Sequence, residues 1–153
     1  MFNGSNETSF TKKSFKLFRE GKLQEALELY DEILKIEPNN AEAWHGKGGV
    51  LVALGNNRAA LEAYDKSLEI EPKAAGTWYN KGITLMELDM FHEALESYDK
   101  ALEINPDDSD IWYVKGNTFG VLCQYNDALK CYEIALEINP NLYFCMDEYG
   151  TCI

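Results

Sequence analysis

Residues 75–108 read AGTWYNKGITLMELDMFHEALESYDKALEINPDD, and this pattern recurs in phase along the 153-residue chain. Its proline, Pro106, has counterparts at Pro38, Pro72 and Pro140, each 34 residues from the next. Its tryptophan, Trp78, has Trp44 and Trp112, with Phe10 in the same place one period earlier. A fixed period of this length marks stacked repeats, in which each unit is too small to bury its own apolar face and shares a core with its neighbours.

The stretch itself reads as a pair of helices. Ala75 to about Leu88 carries Trp78, Ile83, Leu85 and Met86 at mixed helical spacings, and Phe91–Ile104 carries Ala94, Leu95, Tyr98, Ala101 and Leu102 on one face. The link Glu87-Leu88-Asp89-Met90 has glycine in its earlier equivalents, Gly21 and Gly55, which suits a left-handed helix cap. Asn105-Pro106-Asp107-Asp108 closes the unit, because proline disfavours helix for the residue before it and Asn and Asp favour turns.

Working outward, Gly48, Gly82 and Gly116 follow each tryptophan by four residues, with Ser14 in the first unit. Leu17, Leu51, Leu85 and Phe119 come next, then Ala26, Ala60, Ala94 and Ala128, then Tyr30, Tyr64, Tyr98 and Tyr132. These positions resemble the tetratricopeptide repeat, in which W-x2-L-G-x2-Y precedes A-x3-F and a terminal proline. The resemblance implies an all-α, right-handed superhelical α-solenoid of antiparallel helix pairs. It sets off residues 1–6 as a flexible N-terminus and divides 7–142 into four units, 7–40, 41–74, 75–108 and 109–142. The phase continues into 143–153, where Met146, Gly150 and Ile153 take the tryptophan, glycine and leucine places. That tail is expected to be a capping helix or the first helix of an unfinished fifth unit.

A glycine inside a helix costs roughly 1 kcal/mol relative to alanine. Its recurrence predicts a close approach of the paired helices, with Ala60, Ala94 and Ala128 as the facing residues.

In the family it resembles, the first helix of each unit lines a concave groove. By phase this implies a lining of Lys12, Phe15 and Arg19, then His45, then Tyr79, Asn80 and Met86, and finally Tyr113 and Asn117. Gly46 and Gly49 fall on the same face. Tyr79 and Tyr113 offer amphipathic rings, and Asn80 and Asn117 can hydrogen-bond a bound backbone. The carboxylate clamp of chaperone-binding relatives needs Lys, Asn and Arg; only Asn80 matches its places, which argues against a clamp. Lys12 and Arg19 at one end and Glu87 and Asp110 toward the other polarise the groove.

Net charge is −12. No phosphate-binding excess of Lys and Arg exists, so nucleic acid is not expected as a partner. No long apolar run predicts a membrane span, and the polar N-terminus lacks a signal core, so the expected location is the cytoplasm. His45 and His92 fall on different helices and make no catalytic set with Ser, Asp or Cys. Cys123, Cys131, Cys145 and Cys152 are spaced unlike a zinc site, so neither metal nor cofactor is expected. Reduced, helix-packed thiols suit that location, and a Cys123–Cys131 disulfide stays open as an alternative.

The expected function is therefore a non-enzymatic scaffold that holds a partner peptide or helix in its groove. The alternative is a self-assembly module, a homo-oligomer joined through the apolar C-terminal residues Tyr143, Phe144, Met146, Tyr149 and Ile153.

Overall fold

The computed structural model describes the backbone of residues 4–145 and the side chains of 11–142. Eight α-helices alternate with short turns: α1 (Gly4–Arg19), α2 (Leu23–Ile36), α3 (Ala41–Ala53), α4 (Asn57–Ile70), α5 (Ala75–Glu87), α6 (Phe91–Ile104), α7 (Ser109–Val121) and α8 (Tyr125–Ile138). A 3-10 stretch, Pro140–Cys145, follows. The helix expected over 75–88 ends one residue early, and that over 91–104 matches. α1 begins at Gly4, inside the stretch that the sequence sets apart from the repeats.

Each odd helix packs on the even helix after it, and the pairs stack in sequence as a right-handed α-solenoid. α1, α3, α5 and α7 also touch one another in order, forming one continuous face.

The turn inside each pair is a Schellman cap. After α5, Met90 N–H donates to Leu85 O at 2.9 Å and Asp89 N–H to Met86 O at 3.1 Å. Gly21 and Gly55 supply the positive φ this geometry needs, at 75° and 76°. Asp89 and Cys123 adopt it at 59° and 58° without that freedom, so the motif persists where the glycine is lost.

The turn between pairs is fixed by tryptophan. Trp44, Trp78 and Trp112 each donate their indole N–H to the carbonyl of Pro38, Pro72 and Pro106, at 2.8, 2.9 and 2.8 Å. This bond satisfies a carbonyl of the turn beyond the helix cap and ties each repeat to its predecessor. Lys47, Lys81 and Lys115 lie over the same rings, 5.3, 5.3 and 5.0 Å from their centroids. Each also pairs with an aspartate of the preceding helix: Asp31, Asp65 and Asp99. Three joints of the stack therefore carry the same Trp–Lys–Asp staple.

The core follows the stack. Ala26, Ala60 and Ala94 are wholly buried, as are Tyr98 and Ala101. A β-carbon on Gly82 would stand 2.7 Å from Tyr98 Cδ1, and one on Gly116 would stand 2.8 Å from Tyr132 Cδ1. Gly48 stands in the same relation to Tyr64. This corrects the expectation that alanine faces these glycines: the space belongs to a tyrosine ring from the paired helix. A flat ring laid against bare backbone buries large apolar area without a gap.

Candidate functional site

A hollow of about 350 Å³ opens among α1, α3 and α5. α1 contributes Phe15 and Phe18, α3 contributes His45, Gly46, Gly49 and Val52, and α5 contributes Asn80, Ile83 and Thr84. Tyr30 and Tyr64, from α2 and α4, reach between the odd helices to complete the lining. An adjoining space of about 360 Å³ shares Phe15, Tyr30, His45 and Gly46 and adds Thr11, Lys12 and Glu42.

Two glycines outside the recurring series line this hollow, and they differ in what takes their side chain's place. Gly46 and Gly49 stand where the third unit has Asn80 and Ile83 and the fourth has Val114 and Asn117. At Gly46 the missing side chain is replaced by the Tyr30 ring, since a β-carbon there would lie 2.7 Å from Tyr30 Cε1. At Gly49 nothing fills the space: apart from its chain neighbours and its own helix backbone, no atom lies within 4 Å of where its β-carbon would be. Phe15 is 56% exposed above this gap, an unusual position for a large apolar ring on a helix.

The polar groups converge on His45. Its Nδ1 lies 2.8 Å from Thr77 Oγ1, and Asn80 Nδ2 lies 3.4 Å from its Nε2. A neutral ring that accepts from Asn80 at Nε2 carries its proton on Nδ1 and donates it to Thr77. Burial lowers the His45 pKa below 6.5, against the raising effect of Glu42 one turn earlier. The Tyr64 ring lies beside it, centroids 5.8 Å apart, with its hydroxyl pushed by burial up to about 12. The hollow is thus an apolar space with a neutral, hydrogen-bonding wall.

Of the residues expected in the groove, Phe15, His45 and Asn80 meet in this hollow, and Lys12 lines the adjoining space. Arg19 is exposed on α1, one turn beyond Phe15, and lines neither. The others are engaged within the stack. Tyr79 packs against Tyr98, centroids 6.4 Å apart. Met86 Sδ lies 3.4 Å from the Thr118 hydroxyl, which donates to Val114 O at 2.9 Å, and Asn117 Oδ1 accepts from the Tyr132 hydroxyl at 2.7 Å. Tyr113 packs on Tyr132, centroids 5.7 Å apart. Glu87 accepts from Asn57 at 2.9 Å.

Val52 and Ile83 lie on the groove face by phase, whereas Phe18, Tyr30, Tyr64 and Thr84 lie outside the expected set. The sequence signal for Tyr30 is Gly46, a glycine outside the recurring series whose missing side chain is replaced by that ring.

At the other end, α7 and α8 leave a space of about 320 Å³ lined by Tyr113, Leu129, Tyr132, Glu133, Leu136 and Leu142, among others. Leu129 is 58% exposed, whereas its equivalents Leu27, Leu61 and Leu95 are half-buried. Of the tail residues named for self-association, Tyr143 and Phe144 belong to the 3-10 stretch by backbone alone. Met146, Tyr149 and Ile153 lie outside the described residues. Cys123 and Cys131 are free thiols, exposed and buried respectively. Among the described residues no three His, Cys, Asp or Glu side chains gather into a cluster, and no helix is long and apolar enough to cross a membrane.

Comparison with known proteins agrees with this architecture. Family profiles described as tetratricopeptide repeat match residues 17–77 and both 75–108 and 109–142. A search of curated protein sequences finds no match. Among solved structures, MamA 41-end from Desulfovibrio magneticus RS-1 is 24% identical, with a TM-score of 0.81 over 90% of this chain and 78% of that one. Another MamA crystal structure is 23% identical, with a TM-score of 0.80 over 84% of this chain and 75% of that one. Pseudomonas aeruginosa pilF is 21% identical, with a TM-score of 0.81 over 88% of this chain and 62% of its own. At these identities the structures share a fold. With the profiles, the 34-residue period and the paired helices in agreement, the chain belongs to the tetratricopeptide repeat family.

Proposed function

We propose that the chain is a protein-interaction scaffold that holds a segment of a partner protein on the face formed by α1, α3 and α5. The observation that supports this reading most is the preformed hollow beside Gly49, open in the folded chain and topped by the exposed ring of Phe15. A preformed apolar recess with a few directed polar groups binds without a prior cost of reorganisation. The free thiols suit work in a reducing compartment such as the cytoplasm. Photo-crosslinking tests the reading: a benzoylphenylalanine in place of Val52 in the hollow is expected to capture a partner in cells. The same residue in place of Glu96 on α6 is expected to capture none. Equal capture from both positions counts against a concave site.

A second reading, self-assembly through the C-terminal end, draws support from exposed Tyr125 (64%) and Leu129 (58%) on α8. It predicts concentration-dependent dimers by light scattering that Leu129→Glu together with Phe144→Glu removes. A strict monomer at high concentration excludes it.

A further inference from the structure

The hollow has a chemistry of its own, and the ligand class it selects rests on the scaffold reading of the same face. Its wall is apolar where Phe15, Phe18 and Val52 line it, so it selects a bulky apolar group. Asn80, half-buried in the lining, spends its amide nitrogen on His45, and its carboxamide oxygen is an acceptor suited to a bound donor. An aliphatic side chain would leave that group unpaired, at a cost, whereas the N–H of an indole or the O–H of a phenol would satisfy it. At about 350 Å³ the space sits at the low end of ligand sites and has room for one such ring rather than a cofactor.

The flank toward α1 carries two cations in an acidic chain, and Glu42 of α3 is the carboxylate that lines the adjoining space with Lys12. Lys12, Phe15 and Arg19 follow one another at helical spacing on one face of α1. No carboxylate among the described residues lies within ion-pair distance of Lys12 or Arg19, whereas the repeated lysines Lys47, Lys81 and Lys115 are all paired. In a chain of net charge −12, two such cations beside an exposed ring form a local complement to acidic groups.

We propose that the hollow takes a single tryptophan or tyrosine from a partner segment whose neighbouring Asp or Glu residues lie over Lys12 and Arg19. The ring fills the space beside Gly49 and donates to Asn80. The carboxylates set the direction in which the segment runs.

The test is selection of a random peptide library displayed on phage against the full chain. Enriched peptides are expected to share one Trp or Tyr with acidic residues to one side of it. Their affinity should fall at least about tenfold on Gly49→Leu, as for loss of a central anchor. It should also fall on Lys12→Glu with Arg19→Glu, and between about 50 and about 500 mM salt. A β-carbon at Gly49 meets nothing within 4 Å and opens onto the hollow, so Gly49→Leu is expected to keep the fold, which circular dichroism checks. Peptides that compete with crosslinking at Val52 yet lack an aromatic residue, or ignore Gly49→Leu, overturn this proposal and leave the scaffold reading standing. Failure to enrich any peptide that competes there counts against both. Asp147-Glu148-Tyr149 of the chain carries similar chemistry. Self-association that Gly49→Leu abolishes would make a second copy the occupant and overturn a separate partner.

Discussion

Lys81 on α5 reaches back to Asp65 on α4, with Nζ 2.6 Å from Oδ1, and so joins the third repeat to the second. The lysine side chain keeps only 21% of its exposure while the aspartate keeps 52%, so water screens the pair from one side. Lys81→Met should therefore lower stability by only about 1 kcal/mol, the ion pair and the contact over Trp78 together. Lys66→Met, which breaks an exposed pair with Glu69 within one helix, should change it by less than about 0.5 kcal/mol. Urea denaturation at low and high salt checks both, and the Lys81 effect should shrink as salt rises.

Two glycines should answer the same substitution with opposite signs. Gly82→Ala puts a methyl against the buried Tyr98 ring, and overpacking of roughly 1–3 kcal/mol outweighs the gain in helix propensity. Gly49→Ala meets nothing within 4 Å, so only the gain remains, up to about 1 kcal/mol of added stability. Equal shifts in urea midpoint for the two variants would refute the ring-on-glycine packing.

Acid should weaken the fold through His45. Its folded pKa lies below the unfolded 6.5 because burial disfavours the charged ring. The unfolded chain thus binds the proton first. Stability is fully present above 6.5 and is lost as pH falls from there through the folded pKa. Thr77 and Asn80 from α5 and Tyr64 from α4 face the ring without charge; Glu42 on α3 is the charged neighbour and opposes the shift. Subtracting the pH profile of a His45→Gln variant from that of the native chain should leave a slope that begins as pH falls below 6.5. A flat difference would exclude the assignment.

Alkali should act through the buried tyrosines. Burial pushes Tyr64 up to about 12, and Tyr30 and Tyr98 are raised by the same cause. Here the folded state holds protons that the unfolded chain has released, so stability falls as pH rises through the window from 10 to about 12. Absorbance titration near 295 nm should show part of the phenol signal rising only when the helical circular dichroism is lost. A Tyr64→Phe variant should reduce that late part.

The period makes the helices legible because each Trp, Gly, Ala and Tyr returns to the same place in its unit. Phe91–Ile104 follows directly from one amphipathic face and a closing proline. Periodicity names equivalent residues, however, and leaves open which of them meet across a joint. Small size alone pairs Gly82 with Ala94, but the neighbour is Tyr98, four residues further along the same helix. Lys81 is near Trp78 in sequence, and its partner Asp65 lies 16 residues back on another helix. The candidate site is legible where the repeats differ, at Gly46 and Gly49. Its floor is not, because Tyr30 and Tyr64 come from helices that the groove pattern assigns to the outer surface.

The indole-to-proline bond has a mechanical consequence. Each tryptophan clamps the carbonyl six residues before it, so the turn between successive repeats is held by a hydrogen bond on the hinge line beside the Lys–Asp pair. Trp44 governs the hinge between α1–α2 and α3–α4, and Trp78 the next. Between them they set the span from Phe15 to Asn80. Replacing either indole by phenylalanine would keep the ring and remove that bond, leaving the mouth of the hollow held at the joint by the Lys–Asp pair and helix packing alone.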